Sequence, residues 1–294
     1  MSEIITNAMT VDVEDYFHVT AFSKSINISD WSSLEYRAET NTERVLGLFD
    51  AAGIKATFFV LGWVAKRSPS LIQKIHAAGH EVACHGMSHE LVYKQTPNTF
   101  LNETKDAKHL LEDLVGVQVI GYRAASYSIV KKTLWALDIL LDLGFRYDSS
   151  IFPVRHDIYG MRDAPRTPFN PTAGALLEIP LTTVELFGHR FPCGGGGYFR
   201  LLPYVTFKAA LRRVNHVDRM PAVFYFHPWE IDPSQPKIAA GTLSKFRHYH
   251  NLNRTQARLE RLLSDFSWGR MDSIFIGSNR YTNVERVSLS KESA

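Results

Sequence analysis

The chain of 294 residues is 45% apolar and 21% charged, which is ample material for a large core and excludes a disordered protein. A formal charge of +3 with no run of five or more basic residues argues against a nucleic-acid partner, and two cysteines are too few for a disulfide framework, so a reducing compartment fits. The sequence has no window of 18 uninterrupted apolar residues and no basic, apolar start, which excludes a transmembrane segment and leads us to expect, as the sequence stands, a cytoplasmic protein.

Short β-rich apolar runs alternate with helical patterns from Ala8 to about His227, the signature of a parallel α/β architecture. "AMTVDVE" reads as the first strand. "ETNTERVLGLFDAAG" reads as a helix, with Thr40 and Glu43 as a capping box and Gly53 as its stop. "KATFFVLG" is a buried strand, "SPSLIQKIHAAG" a helix capped by Ser68 and opened by Pro69, and "HEVACH" the next strand. The cycle continues through the helix "TFLNETKDAKHLLEDLVG", the strand "VIGYRAA", the helix "KKTLWALDILLDLG" and the strand "FRYDSS". From Pro153 to about Pro203 the text becomes Pro- and Gly-rich and contains "LLEIPLTTVEL" and "FPCGGGGYFR", the look of barrel closure with long loops. The helix "YVTFKAALRRVN" and a final strand "AVFYFHPWE" follow, and the tail carries one amphipathic helix, "TQARLERLLSDF".

The chemistry-bearing residues sit at strand ends. Asp12 and Glu14, His85, Arg123, Asp148 and His227 lie at or just past the C-terminal ends of separate predicted strands, the rim where parallel α/β folds build their sites. "HGMSH" sets His85 and His89 four positions apart, a spacing that puts both imidazoles on one face of a helical turn and within reach of one metal ion. Twelve histidines make some such pair expected by chance. A carboxylate from the first strand completes a three-ligand set that leaves one coordination position open. Alternation along that strand favours Glu14, on the face of Asp12; a strand that ends at Val13 would let Asp15 swing in instead.

Taken in order, "TVDVED", "HGMSH", "GYRAASYS" and "YFHPWE" resemble the motifs of the polysaccharide deacetylases of carbohydrate esterase family 4, the NodB-homology family, over roughly residues 8–230. "VDVEDYF", "FYFHPWEID", "FRHYHNL" and "WGRMD" resemble the subgroup linked with exopolysaccharide clusters and exosortase systems, and extend the match to about residue 275. The resemblance implies a distorted (β/α) barrel of about seven strands over residues 1–230, with residues 231–294 as a helical C-terminal extension packed on it. It implies Asp12 as general base, Arg123 as the group that holds Asp12, His85 and His89 as metal ligands with Glu14 or Asp15, and His227 as general acid. Three departures stand out. Val13 separates acids that are adjacent in the family; the Arg-x-Pro-x-Gly segment keeps Arg123 without Pro or Gly; and the segment that supplies an Asp to orient the acid is matched only by "YDSS", which makes Asp148 the candidate for an orienting or substrate-binding role.

The implied chemistry is metal-assisted hydrolysis of an N-acetyl group, with Zn2+ as the default ion and Co2+ or Ni2+ compatible with the same ligands. The expected substrate is an N-acetylated sugar or an oligo- or polysaccharide in exopolysaccharide biosynthesis. Hydrolysis of another C–N bond, as in a formamide or cyclic imide, and an inactive glycan-binding protein are the alternatives. Tyr127, Tyr198 and Trp229 are candidates to stack on sugar rings. Gly194 to Gly197 read as a flexible loop over the site ahead of an anion cradle, His18 as an ordinary packing contact that is the best of the remaining histidines for touching substrate, and Cys84 as a buried thiol on the strand face opposite His85. Nothing in the sequence sets an oligomeric state.

Overall fold

Seven of the eight residues of the first strand, β1 (Thr6–Val13), are buried, and the sheet is built outward from it. In the computed structural model, which describes residues 5–156, 159–171, 174–281 and 284–289, β2 (Thr57–Val60), β3 (Glu81–Cys84), β4 (Gly121–Tyr122), β5 (Tyr147–Asp148) and β6 (Leu177–Glu178) follow in parallel. β7 (Thr183–Leu186) and β8 (His189–Pro192) form a separate antiparallel hairpin, and β9 (Val223–Phe226) returns to β1. Thr10 and Val11 pair with both β2 and β9, so β1 has a parallel neighbour on each edge. Fully buried strands such as "TFFV" are what a parallel sheet covered by helices requires.

The cover comes from α1 (Ala38–Ala51), α2 (Gly62–Arg67), α3 (Pro69–Ala77), α4 (Pro97–Val115), α5 (Trp135–Asp142), α6 (Gly196–Leu201) and α7 (Tyr204–His216). Met9, Val11, Val13, Phe58, Val60, Val82 and Cys84 pack against helix residues such as Val45, Phe49 and Leu71 in the outer layer. Ala8, Phe59, Ala83, Val223 and Tyr225 belong to a second cluster inside the curl of the sheet. Strand alternation therefore turns Thr10 and Asp12 inward, and with them the residues that follow Cys84, Tyr122 and Phe226.

The curl is a distorted barrel, as expected, and among the described residues it does not close through a continuous ladder. Cys193 N–H donates to Thr182 O at 3.2 Å, Tyr225 N–H donates to Gly194 O at 2.7 Å, and Val223 N–H donates to Thr182 Oγ1 at 2.6 Å, so the glycine segment bridges the gap beside β9. That segment is packed rather than a mobile flap. A Cβ on Gly195 would meet the Tyr225 hydroxyl at 2.5 Å and one on Gly196 the Glu230 carboxylate at 2.3 Å, which is why side chains are missing there.

Beyond residue 231 the chain forms α8 (Thr242–Tyr249) and α9 (Leu252–Asp265), then β10 (Ser267–Gly269), which pairs with Thr6–Ala8 of β1. β9 is thus not the last strand; β10 is too short for periodicity to reveal. α1 also starts at Ala38, ahead of the expected Thr40 cap. No helix among the described residues is long and apolar enough to cross a membrane.

Candidate active site

The inward-facing residues at the ends of β1, β3, β4 and β9 converge on one cavity of about 160 Å³, lined by Asp12, Glu14, His85, His89, Tyr127 and His227 among others. Glu14, His85 and His89 are all buried and offer ligand atoms within 4.8 Å of one another. The two imidazoles lie 5.5 Å apart between centroids. They meet without a helical turn: Gly86 and His89 take φ of 75° and 55°, and this left-handed bend folds His89 back over His85. A non-glycine residue in that region costs roughly 1–2 kcal/mol, strain of the kind that persists where surrounding structure enforces it.

His85 Nδ1 is 2.8 Å from the carbonyl oxygen of Arg123, which can only accept, so Nδ1 carries the proton and Nε2 keeps its lone pair. Burial pushes His85 down to about 4, keeping it neutral as a ligand must be. Glu14 Oε2 is 2.8 Å from His89 Nε2 yet is buried without a hydrogen-bonded donor. Burial opposes ionisation of Glu14, but His89 and His227 outweigh it and hold the carboxyl well below its ordinary range. A buried carboxylate oxygen without a hydrogen-bond donor, beside the free Nε2 lone pair of His85, is a donor set that fits a divalent cation.

Asp12 is fixed from behind. Arg123, fully buried, donates through Nη1 to Asp12 Oδ1 at 2.6 Å and to Thr10 Oγ1 at 2.8 Å, while its Nε and Nη2 reach Ser149 O and Oγ at 3.3 and 3.2 Å. Removing either member of such a buried pair costs about 3–5 kcal/mol. The Tyr127 hydroxyl donates to Asp12 Oδ2 at 3.3 Å. Counting from Arg123, Tyr127 occupies the place of the glycine in the Arg-x-Pro-x-Gly motif, and its backbone is left-handed, φ 55°. From that backbone its side chain spans to Asp12.

On the opposite wall, His227 Nε2 is 3.0 Å from Glu14 Oε1 and its Nδ1 is 2.8 Å from Glu230 Oε1. Glu230 also accepts from the His227 backbone N–H and from Arg200 Nε, at 3.1 and 2.7 Å. Burial disfavours the charged imidazole, but Glu14 and Glu230 together push His227 up to about 10; Arg200 and His227 in turn bring the buried Glu230 down to about 2. The Trp229 ring stacks on His227 at 5.0 Å and lines the cavity. Glu230 was missed as a partner of the acid although it stands in "YFHPWE"; its i+3 spacing within the short turn Pro228–Ile231 was the available signal.

Other expected residues fall elsewhere. Asp148 does not line the cavity: Tyr147 takes the inward position of β5, so Asp148 turns to the outer face, where it accepts from Ser150 Oγ at 2.6 Å and opposes Glu178 in register. The orienting place expected for it is held by Glu230. Asp15 likewise turns away, accepting through Oδ2 from Arg37 N–H and Ala38 N–H at 2.6 and 2.7 Å, so it caps α1 and leaves Glu14 as the carboxylate among the candidate ligands. His18 packs among Phe17, Trp31 and Trp63, with burial pushing it down to about 3, outside the cavity wall. Cys84 is a free buried thiol, raised to about 12 by burial.

A half-closed parallel barrel with a buried His-His-Glu cluster at its strand ends, flanked by an arginine-bound aspartate and a carboxylate-bound histidine, defines a hydrolase-like architecture. The polysaccharide deacetylase family model matches residues 30–147, and a domain of unknown function, DUF3473, matches residues 149–276. A peptidoglycan deacetylase of Helicobacter pylori is 32% identical over 120 residues, 40% of this chain and 39% of that protein. A peptidoglycan deacetylase-like protein of Gibberella zeae is 30% identical over 126 residues, 42% of this chain and 36% of that protein. The crystal structure of a proposed polysaccharide deacetylase from Mycobacterium smegmatis shares the fold, with a TM-score of 0.63 at 19% identity over 98% of this chain and 95% of that one. Residues 30–147 thus match the polysaccharide deacetylase family and residues 149–276 the DUF3473 family. The chain spans less than half the length of these two curated relatives.

Proposed function

We propose that the protein is a metal-dependent hydrolase that removes the acetyl group from an N-acetylated sugar or glycan, within exopolysaccharide biosynthesis. The observation that carries this reading is the convergence of Asp12, Glu14, His85, His89 and His227, from three strand ends, on a single cavity. Residues 1–230 supply the catalytic barrel and residues 231–294 an extension against it. The exopolysaccharide setting is supported by the resemblance of "VDVEDYF", "FYFHPWEID", "FRHYHNL" and "WGRMD" to that subgroup.

Glu14, His85 and His89 would hold the ion, zinc by default for this ligand set. A divalent cation bound there supplies Lewis-acid polarisation of the acetamide carbonyl and a more acidic water. Asp12, held by Arg123 and Tyr127, accepts the proton of the attacking water as the C–O bond forms. His227, its ring fixed by Glu230 at Nδ1, delivers a proton from Nε2 to the amine nitrogen as the C–N bond breaks. Acetate and the free amine leave. Trp229 and Tyr127 border the space where the sugar ring would sit.

The test joins metal content to turnover. Purified protein should carry about one divalent ion per chain, release acetate from N-acetylglucosamine oligomers, lose that activity to a chelator and regain it with zinc or cobalt. Metal-free protein that binds oligosaccharides without releasing acetate would sink the reading.

A further inference from the structure

Next to the candidate centre lies a second and larger cavity of about 380 Å³. Val19, Thr20, Ser126, Tyr159 and Tyr225 line both, so the two are continuous. The centre itself contains carboxylates, but the lining of the larger space has the opposite character: its titratable side chains are Arg200, Arg247, His156, His250 and tyrosines, and no Asp or Glu is among the described residues of its wall.

The two arginines differ. Arg200 is buried and fully engaged: Nε reaches Glu230, Nη1 reaches the carbonyls of His248 and His250 at 2.9 and 2.7 Å, and Nη2 reaches that of Arg247 at 3.0 Å. It pins the "FRHYHNL" segment to the cavity as part of the scaffold. Arg247 is exposed, and among the described residues no carboxylate lies within ion-pair distance of its guanidinium. Phe246 lines the same wall, half exposed, and Tyr198 and Tyr159 supply ring surface on it. Rings beside an uncompensated guanidinium suit a sugar unit that carries a negative charge, because the planar fork pairs with carboxylate or phosphate oxygens.

We propose that this cavity is an anion-accepting subsite, in which Arg247 pairs with a carboxylate on the glycan unit next to the N-acetylated one or with a phosphate at that junction. The proposal rests on the deacetylase reading for its neighbour but is tested by binding. Calorimetric titrations of the full chain carrying Asp12→Asn, loaded with zinc, would use two charged probes and their neutral counterparts. The carboxylate arm compares an alternating glucuronate–N-acetylglucosamine tetrasaccharide with tetra-N-acetylchitotetraose; the phosphate arm compares N-acetylglucosamine 1-phosphate with the methyl glycoside of N-acetylglucosamine.

At least one charged probe should bind about tenfold more tightly than its counterpart, with a preference that weakens as salt rises. Arg247→Gln, whose exposed position should leave the thermal midpoint unmoved, should bring the two to parity. The arm that responds identifies the anion. Equal affinities in both arms, no binding of any probe, or a preference that survives Arg247→Gln would overturn the proposal. Failure of the wild-type protein to release acetate from these probes, with the Arg247-dependent preference intact, would count against the hydrolytic reading alone.

Discussion

Asp12, Glu14, His85, His89 and Arg123 all come from the first half of the chain, on β1, β3 and β4 or the turns just past them, whereas His227, Glu230, Trp229 and Arg200 come from the second. The first set is aimed by backbone geometry, with Arg123 bracing Asp12. Strand alternation aims Asp12, and one left-handed bend brings His89 over His85. The second is held by side chains: His227 is fixed by Glu230, Glu230 by Arg200, and Arg200 by three carbonyls of a segment almost fifty residues further on. A site assembled in these two ways should fail in two ways, by loss of metal or base on one side and by graded loss of acid efficiency on the other.

The largest effects belong to the first half. Asp12→Asn removes the proton acceptor and should lower kcat about a thousandfold or more, with metal content unchanged. Because Arg123 stays buried without its counter-charge, the thermal midpoint should also fall. Turnover near the parent rate would remove Asp12 from the role of base. His89→Ala takes one of three candidate ligands away, and metal analysis after dialysis should find well under the parent's occupancy. Full occupancy in that variant would place the ion elsewhere.

In the second half, Glu230→Gln keeps the volume but loses the charge that fixes His227. We expect kcat to fall by about 10- to 100-fold with KM little changed. The loss should shrink for an activated anilide such as 4-nitroacetanilide, whose leaving group needs less protonation. An equal loss on both substrates would make Glu230 a purely structural residue. Tyr127→Phe removes one long hydrogen bond to Asp12, 3.3 Å, and should cost only a few-fold in kcat. A loss as large as that of Asp12→Asn would give the hydroxyl a direct part in the chemistry.

The same division explains what could be read in advance. Period-two alternation and the His-x-x-x-His spacing are local patterns, so the ends of β1 and β3 were legible, and with them the barrel. The helical turn expected at residues 85–89 was wrong because spacing alone does not distinguish a helix from a left-handed bend; Gly86 was the clue. Asp148 was misplaced because β5 spans only Tyr147–Asp148, too short for alternation to declare which residue points inward. Glu230 depends on Arg200 for its buried charge, and no local pattern announces a pairing thirty positions apart. The glycine run looked flexible in composition, whereas Gly195 and Gly196 answer to Tyr225 and Glu230, contacts that exist only in the folded chain.

Asp15 is where the two kinds of reading meet, since sequence left it open as a ligand and the fold gives it other work. Its carboxylate accepts the backbone N–H groups of Tyr16, Arg37 and Ala38, at 2.8, 2.6 and 2.7 Å, tying the end of β1 to the start of α1. Asp15→Ala should cost about 1–3 kcal/mol of stability, as expected when buried donors at a helix start lose their acceptor, with zinc content unchanged. A parallel fall in metal content would return Asp15 to the ligand set. Burial also raises the carboxyl to about 6, against 3.8 for the free group. The folded state thus holds this proton more tightly than the unfolded chain, so that contribution to stability is complete below about pH 4 and is lost as pH rises through about 6. Asp15→Asn does not titrate, and its stability relative to the parent should therefore improve over that interval in denaturant melts; a gap that stays constant with pH would mean that the carboxylate is ionised throughout.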